Sequence, residues 1–295
     1  MEIGPWGRPG RWPLGQALQQ LSQPPLSPNR GGYTLTMREC EGVETVLDRL
    51  AGEAVDPGPA RRLHVGWGSF RNLDIAAARR SAAIVLLDVN RHQFDVWSAV
   101  AAALADTGDA ESFIDALLPR LPLEPRLRQF ASSTRTWLRG DLERPGSWLE
   151  AAAPARFDHV RQCFADGSVM AACVDLRSTA ACRALDRALQ DSAGNDALQL
   201  DTLYPSNIPW MLAQPLGFFG EAHDACGDGV AAGAVLDRVQ HNLGRLAASF
   251  RWVVSAMRLR DDASADNLQW RTELCPGAVF AHDPAWRRLG PVAPA

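Results

Sequence analysis

Lysine is absent from this chain of 295 residues, so all 30 of its basic side chains belong to arginine. A GC-rich coding sequence explains such a bias without any functional requirement. The absence nevertheless excludes reactions that need a lysine amine, such as Schiff-base formation. It also excludes the phosphate-binding loop that ends in lysine.

Signals for metal binding, secretion and membrane insertion are missing as well. The first 32 residues are rich in proline, glycine and arginine and lack the apolar segment of a signal peptide. No apolar run is long enough to cross a bilayer. None of the cysteines forms a C-x-x-C pair or stands at a zinc-like spacing from histidine. We therefore expect a reduced, cytoplasmic protein with no metal ion and no membrane partner. The cysteines are Cys40, Cys163, Cys173, Cys182, Cys226 and Cys275.

The overall charge is close to neutral, with a formal net value of −4. Hydrophobic residues make up 46% of the chain and charged residues 22%, as in an ordinary globular protein. Such a charge provides no overall attraction to nucleic acid. We therefore expect a small-molecule partner and no nucleic acid, while the oligomeric state is left open.

Apolar segments alternate with helical patterns along the middle of the chain, and the first of these segments are apolar throughout. This alternation predicts an α/β fold in three layers, with a mostly parallel sheet between two layers of helices. The predicted strands cover residues 62–66, 82–88, 168–175, 198–204, 251–258 and 268–275. The predicted helices cover residues 41–52, 71–80, 91–105, 109–121, 157–164, 179–190, 211–225 and 234–248.

Three parts of the chain are expected on this basis. Residues 1–60 form an N-terminal arm and helix, residues 61–275 form the α/β domain, and residues 276–295 form a tail. A helical insertion at about 91–168 separates the second and third strands of the domain, and we expect it to cap the site. Within it, residues 122–156 are predicted to be irregular.

The segment HVGWGSFRNLD carries the first candidate site. Gly66, Trp67 and Gly68 follow the first strand of the domain, where glycine allows a sharp turn and a close approach of a ligand to the backbone. Amides at the start of the next helix would face that ligand. Arg71 stands where a G-x-G-x-x-G dinucleotide motif requires its third glycine. The pattern therefore favours a nucleoside without a pyrophosphate.

Asp88 ends the second strand of the domain, 22 residues after Gly66. A carboxylate at this position accepts hydrogen bonds from both hydroxyls of a ribose. The alternative is structural: the two glycines make a strand-to-helix turn, and Asp88 caps the helix that begins near Arg91.

The segment LYPSNIPW follows the fourth strand and carries the second candidate site. Ser206 and Asn207 offer short hydrogen-bonding side chains, and Tyr204 and Trp210 flank them. These four residues are candidates for binding a substrate. The alternative is a loop stiffened by proline, in which Ser206 or Asn207 starts a helix.

Several single residues are further candidates, each with a structural alternative. Asp175 ends the third strand and either faces an adenine or offsets the dipole of the following helix. His92 and His223 are candidate general bases, or solvated histidines. Trp67 and Trp210 either stack on an aromatic ligand or cover the core. Asn72 faces the ligand from the helix that follows the glycines.

Together these segments resemble a class I S-adenosylmethionine-dependent methyltransferase, the Rossmann-like superfamily. The resemblance runs from about Arg62 to Arg258. The segments GWGSFRNLDIA, AAIVLLDVNR and LYPSNI are similar to an uncharacterised bacterial branch of that fold. The motif G-x-G-x-G of active methyltransferases is incomplete here, because Phe70 stands at its third glycine.

The resemblance implies S-adenosylmethionine as cofactor and methyl transfer to a small molecule. It places Gly66, Gly68 and Asn72 along the cofactor and Asp88 at its ribose. It places Tyr204, Ser206 and Asn207 at the methionine end or the acceptor.

Two other functions stay open: a binding module that has kept the fold without the reaction, and a different reaction on the same fold. An enzyme requires open space at Gly66. A structural module would have that space filled, for example by Trp67 or by the N-terminal arm.

Overall fold

The computed structural model describes residues 12–21, 40–53, 61–121, 128–195, 198–206, 232–258 and 270–282. Strands and helices alternate along these ranges, as the apolar pattern predicts. The strands are β1 (Cys40–Glu41), β2 (Arg61–Trp67), β3 (Ala83–Asp88), β4 (Val169–Cys173), β5 (Leu198–Ser206), β6 (Trp252–Arg258) and β7 (Trp270–Pro276). The helices are α1 (Pro13–Leu21), α2 (Val43–Gly52), α3 (Arg71–Arg79), α4 (Arg91–Asp106), α5 (Ala110–Leu117), α6 (Arg128–Glu143), α7 (Pro154–Ala165), α8 (Thr179–Asn195), α9 (Ala232–Ala247) and α10 (Gly277–His282), with a 3-10 turn at Leu118–Arg120.

The strands form one seven-stranded sheet in the order β1-β7-β6-β5-β2-β3-β4. Neighbours from β6 to β4 are parallel, which confirms the predicted α/β class and mostly parallel sheet. β7 is antiparallel to β6. Only eleven residues separate Arg258 from Trp270, too few for the crossover that a parallel neighbour requires.

Strand order reverses at β2, and this reversal places the candidate site. From β2 the chain builds β3 and β4 on one side and then returns to add β5 and β6 on the other. In open α/β sheets, ligands bind beyond the carboxyl ends of the strands at such a reversal. Gly68, Asp88 and Ser206 lie at or just beyond the carboxyl ends of β2, β3 and β5, three adjacent strands.

One face of the sheet packs against α1, α8, α9 and α10. Its core includes the side chains of Leu18, Trp67, Leu185 and Leu243. Thus α1 and α10, which lie outside the predicted domain limits of 61 and 275, contribute to the central core. The strand β1 likewise comes from the N-terminal segment and pairs with β7.

The opposite face carries α2 and α3, and α3 is covered in turn by the helical insertion. Eight of the nine residues of α3 are buried. The small residues Ala76 and Ala77 let neighbouring helices approach closely, and they share a core with Trp97, Phe113 and Trp148 of the insertion. The predicted insertion between the second and third strands of the domain is therefore present, as four helices.

One sequence-based prediction about the insertion was wrong. Residues 122–156 were predicted to be irregular, yet Arg128–Glu143 is helical. Its sequence, RQFASSTRTWLRGDLE, contains only four large apolar residues, so the segment as a whole is polar although those four stand at helical spacing. Among the described residues, no helix is long and apolar enough to cross a membrane.

Candidate functional site

The turn between β2 and α3 is held against both neighbouring strands. Gly68 has φ +81°, a left-handed conformation that glycine adopts without a steric cost. Its N–H donates to the carbonyl oxygen of Leu87 in β3, at 3.4 Å. A Cβ atom at Gly68 would lie 3.7 Å from Oγ of Ser206, at the end of β5. The turn therefore borders the carboxyl ends of three strands at once.

Gly66 serves a different purpose from Gly68. A Cβ atom at Gly66 would lie 1.9 Å from Oδ1 of Asn72 and 2.9 Å from the carbonyl oxygen of Tyr204. The missing side chain therefore makes room for Asn72 and for the backbone of β5. In the direction that a Cβ atom would take, the space beside Gly66 is filled by the protein itself.

Asn72 is fully buried and uses its amide within the protein. Its Nδ2 donates to the carbonyl oxygens of Trp67 at 3.1 Å and Ser69 at 2.9 Å, on either side of Gly68. Its Oδ1 lies 3.0 Å from Nε2 of His64. Asn72 was predicted to line the cofactor; the structure instead gives its side chain to the support of the turn.

His64 is a site residue that the sequence analysis did not single out. It lies in β2, fully buried, with Nδ1 2.8 Å from Oγ1 of Thr202 in β5. Burial lowers the pKa of His64 to about 4, so the ring is neutral at physiological pH. In the sequence, His64 stands out only as a polar residue between the apolar Leu63 and Val65, with Asn72 eight positions later.

Asp88 lies one position beyond Leu87 at the end of β3, beside the Gly68 turn. Its Oδ1 accepts hydrogen bonds from the backbone N–H groups of Val89 at 2.7 Å and Asn90 at 2.9 Å. No described residue donates to its Oδ2. Burial raises the pKa of Asp88 to about 6, although the two N–H groups oppose the rise. The carboxylate is thus fixed through one oxygen and half-buried, with the other oxygen available.

The two residues that replace the expected third glycine are both buried: Phe70 packs against the insertion, and Arg71 pairs within the first turn of α3. The ring of Phe70 lies 5.7 Å from that of Trp97 and 5.5 Å from that of Trp148, between ring centroids. Arg71 is buried and its Nη1 donates to Oδ2 of Asp74 at 2.8 Å. At positions 70 and 71, this fold therefore packs large buried side chains where the sequence motifs have glycine.

Asp74 connects the first turn of α3 to the insertion. Its Oδ2 also accepts from Nη2 of Arg144 at 2.9 Å, and its Oδ1 accepts from the N–H of Trp148 at 2.8 Å. Arg144 in turn donates to Asp141 at 2.9 Å. With Arg71, the group holds two arginines and two aspartates, so its formal charge is balanced inside the protein.

Asp175 is half-buried and its carboxylate is bound by Arg177. Nε of Arg177 lies 2.9 Å from Oδ1 and 3.0 Å from Oδ2, and Nη2 lies 2.7 Å from Oδ2. The backbone N–H of Arg177 also donates to Oδ1. These contacts make Asp175 a local structural residue, and its predicted contact with an adenine stays a prediction.

Tyr204 and Trp67 lie in the core. Tyr204 was predicted to face a methionine end or an acceptor, but its side chain packs among Val46, Leu50 and Ile75. That prediction is corrected, because the ring points to the α2 side of the sheet. Trp67 packs on the opposite face, and its Nε1 donates to the carbonyl oxygen of Val174 at 3.4 Å.

The remaining predicted residues are only partly described. Ser206 is buried, has φ +57° and lies beside Gly68. His92 lies in the first turn of α4 with Nδ1 3.7 Å from Oδ2 of Asp95, and Asn90 caps that helix by accepting from the N–H of His92. Asn207, Trp210 and His223 lie outside the described residues.

The described residues fit the nucleoside part of S-adenosylmethionine. The half-buried carboxylate of Asp88 offers an acceptor atom for ribose hydroxyls, and Gly68, the first residue of the turn beside it, has no side chain. Because S-adenosylmethionine has no pyrophosphate, the turn does not need the third glycine of the dinucleotide motif. Within the described ranges, no group of three or more histidine, cysteine, aspartate or glutamate side chains is placed to hold a metal ion.

This chain resembles a family model over part of its length and a solved structure over most of it. Residues 47–120, from within α2 to the end of the 3-10 turn that follows α5, match the family model of a domain of unknown function, DUF7790. No curated protein matches the sequence. The rRNA methyltransferase aviRa from Streptomyces viridochromogenes is a similar solved structure, with 17% identity and a TM-score of 0.37. The alignment covers 82% of this chain and 86% of that protein.

The likeness to an rRNA methyltransferase contradicts one prediction made from composition. Nucleic acid was excluded as a partner because the net charge is −4. The exclusion of nucleic acid is withdrawn, because aviRa is an rRNA methyltransferase. Net charge averages over the whole surface, whereas contact with nucleic acid depends on the local arrangement of charges.

Proposed function

We propose that this chain binds S-adenosylmethionine through its nucleoside and transfers the methyl group to an acceptor. The observation that carries the proposal is the carboxylate of Asp88, at the end of the strand next to the Gly68 turn. One of its oxygens is fixed by two backbone N–H groups, and the other takes no hydrogen bond from a described residue. A pair of ribose hydroxyls is the ligand that matches such an acceptor.

The proposed division of roles follows the positions of the strands. Asp88 binds the ribose, and the turn around Gly68 runs beside it. When bound, the cofactor supplies an electrophilic methyl group on a sulfonium. Transfer of that group needs chiefly the alignment of an acceptor, which is a matter of positioning. Ser206, beside Gly68, and Asn207 and Trp210, which follow it, are the proposed acceptor side, and His92 and His223 are proposed bases.

A second candidate is a binding module that has kept the nucleoside site without catalysis. The filled space at Gly66 and the buried side chains of Phe70 and Arg71 favour it. These features narrow the turn relative to one lined with three glycines. A module of this kind would bind the nucleoside and transfer no methyl group.

Calorimetric titration with S-adenosylmethionine and S-adenosylhomocysteine tests the proposal. We expect micromolar binding of both, which corresponds to about 8 kcal/mol. Asp88→Asn should weaken binding by roughly 10-fold to 100-fold, as expected for losing a charged hydrogen bond. The asparagine keeps the oxygen that the backbone N–H groups require.

Asp109→Asn is the matched control. Asp109 also accepts a backbone N–H, from Ser112, but it lies at the exposed start of α5. Its substitution should leave nucleoside binding unchanged. Absence of binding in the unsubstituted protein would refute the proposal. Equal binding by the Asp88→Asn variant would refute the role of Asp88. Binding without turnover of the methyl donor would favour the binding module.

A further inference from the structure

A buried chain of hydrogen bonds runs from β5 to the turn after β2, and His64 is its middle member. Oγ1 of Thr202 lies 2.8 Å from Nδ1 of His64, and Nε2 lies 3.0 Å from Oδ1 of Asn72. Nδ2 of Asn72 then reaches the carbonyl oxygens on both sides of Gly68. All three side chains in this chain are fully buried, so water does not compete for their hydrogen bonds.

The two carbonyl oxygens fix the direction of every hydrogen bond in the chain. Carbonyl oxygens only accept, so Asn72 presents Nδ2 to them and Oδ1 to His64. Because Oδ1 also only accepts, Nε2 of His64 carries the proton. Nδ1 therefore accepts from the hydroxyl of Thr202. A single neutral tautomer of His64 satisfies all of these contacts, and burial favours the neutral form.

This arrangement sets the orientation of the turn. In a planar trans peptide, the N–H points away from the carbonyl of the same unit. The carbonyl of Ser69 points inward to Nδ2 of Asn72, so the N–H of Phe70 points outward from that support. The carbonyl of Trp67 is held in the same way. Gly66 is part of the device, since any side chain there would collide with Oδ1 of Asn72.

We propose that His64, with its tautomer fixed by Asn72 and its ring held in place by the hydroxyl of Thr202, is a positioning residue for the nucleoside-binding turn. It acts through Asn72, which holds the Trp67–Gly68 and Ser69–Phe70 peptides and thereby fixes the shape of the turn beside the ligand. This inference rests on the proposed function for its ligand, but the order of the turn is measurable without any ligand. It assigns a role to three residues that do not themselves touch the nucleoside.

Thr202→Val tests the inference, because valine has nearly the same shape and lacks the hydroxyl. Without the hydroxyl, Nδ1 of His64 loses its buried hydrogen bond, and the imidazole is held in place only through Asn72. We expect affinity for S-adenosylhomocysteine to fall about tenfold. Amide hydrogen exchange in the segment from Gly66 to Asn72 should become faster.

Two variants keep the test specific. Thr202→Ser retains the hydroxyl and should retain both the affinity and the slow exchange. Thr272→Val removes the hydroxyl of another buried strand threonine, whose Oγ1 has no hydrogen-bond partner among the described residues, and should change neither. If Thr202→Val does not fold, Asn72→Asp replaces it. That change keeps the side-chain shape but places an acceptor against the two carbonyl oxygens.

The outcomes separate this inference from the proposed function. Weaker binding and faster exchange in Thr202→Val, with Thr202→Ser unaffected, would support the positioning role. Unchanged binding and exchange in Thr202→Val would overturn it and leave the proposed function intact. If the unsubstituted protein binds neither nucleoside, the proposed function fails. The exchange rates of the two Thr202 variants then decide the inference alone: a difference supports it, and equality overturns it.

Discussion

Arg79 and Asp201 form a two-bond ion pair in which both side chains are fully buried. Nε of Arg79 lies 2.7 Å from Oδ2 of Asp201, and Nη2 lies 2.7 Å from Oδ1. Nη1 of Arg79 donates to the carbonyl oxygen of Leu50 at 2.7 Å. The pair therefore joins the C-terminal end of α3 to β5 and to α2, at the opposite end of α3 from the Gly68 turn.

Removal of one partner from this pair should be strongly destabilising. Arg79→Met leaves the carboxylate of Asp201 buried and unpaired, which we expect to cost about 3–5 kcal/mol of unfolding free energy. Denaturant unfolding measures the change. Arg135→Met is the control, because Arg135 pairs with Asp115 at 2.9 Å on the surface. Loss of such a pair should cost less than about 1 kcal/mol. Similar losses in the two variants would contradict the burial argument.

Stability should fall in mild acid because of His64. Its pKa is about 4 in the folded protein and about 6.5 when exposed, so only the unfolded chain binds a proton between these values. The contribution of neutral His64 to the unfolding free energy is fully present above about pH 6.5 and is lost as the pH falls to about 4. This contribution is about 3 kcal/mol. Unfolding measured at several pH values gives the slope.

Two histidine variants test whether His64 causes this dependence of the unfolding free energy on pH. His64→Gln should flatten the pH dependence between about 4 and 6.5. His241→Gln, at an exposed position of α9, should leave it unchanged. An unchanged slope in His64→Gln would mean that other groups account for the acid sensitivity.

Nucleoside affinity should depend on the protonation of Asp88. Its pKa is about 6, so the carboxylate is charged above that pH and becomes protonated below it. Because the charged form accepts ribose hydroxyls better, affinity for S-adenosylhomocysteine should be about tenfold weaker at pH 5 than at pH 8. Calorimetry at the two pH values measures the difference. Asp88→Asn should bind more weakly and show no such dependence; a persisting dependence would assign it to another group.

The two glycines of the turn should respond differently to alanine. Gly66→Ala places a Cβ atom within 3 Å of Asn72 and of the Tyr204 backbone, and we expect a loss of about 3 kcal/mol or more. Gly68→Ala has space but keeps a left-handed φ, which costs about 1–2 kcal/mol. Gly108→Ala, with open space around it, serves as control in the same thermal unfolding series. Equal effects at positions 66 and 68 would contradict the packing argument.

Much of the fold could be predicted from the sequence because its strands are unusually apolar. AIVLLD in β3 is buried at five of its six residues, and such runs have few alternatives to a central parallel strand. The direction of β7 could not be predicted from its own residues. It depends on the length of the connection from β6 and not on a property of the strand.

The candidate site was predictable in position but not in detail. Gly68 and Asp88 could be placed because the carboxyl ends of neighbouring parallel strands share one edge. Asn72 and Tyr204 have polar groups that suit a ligand equally well, and only the packed structure shows that the protein uses the amide of Asn72 itself and buries the side chain of Tyr204. His64 gave little signal, since its partners lie 8 and 138 positions away.

The pairing of β1 with β7 has a consequence for the order of folding. Cys40 lies opposite Trp270, so about 230 positions separate the two sides of this contact. Closing so long a loop costs entropy before any pairing compensates for it. During synthesis, the parallel strands are complete before β7 leaves the ribosome. The outer edge of β7 is therefore covered last, when β1 pairs with it. Until that pairing forms, the backbone groups along this edge can pair with other chains.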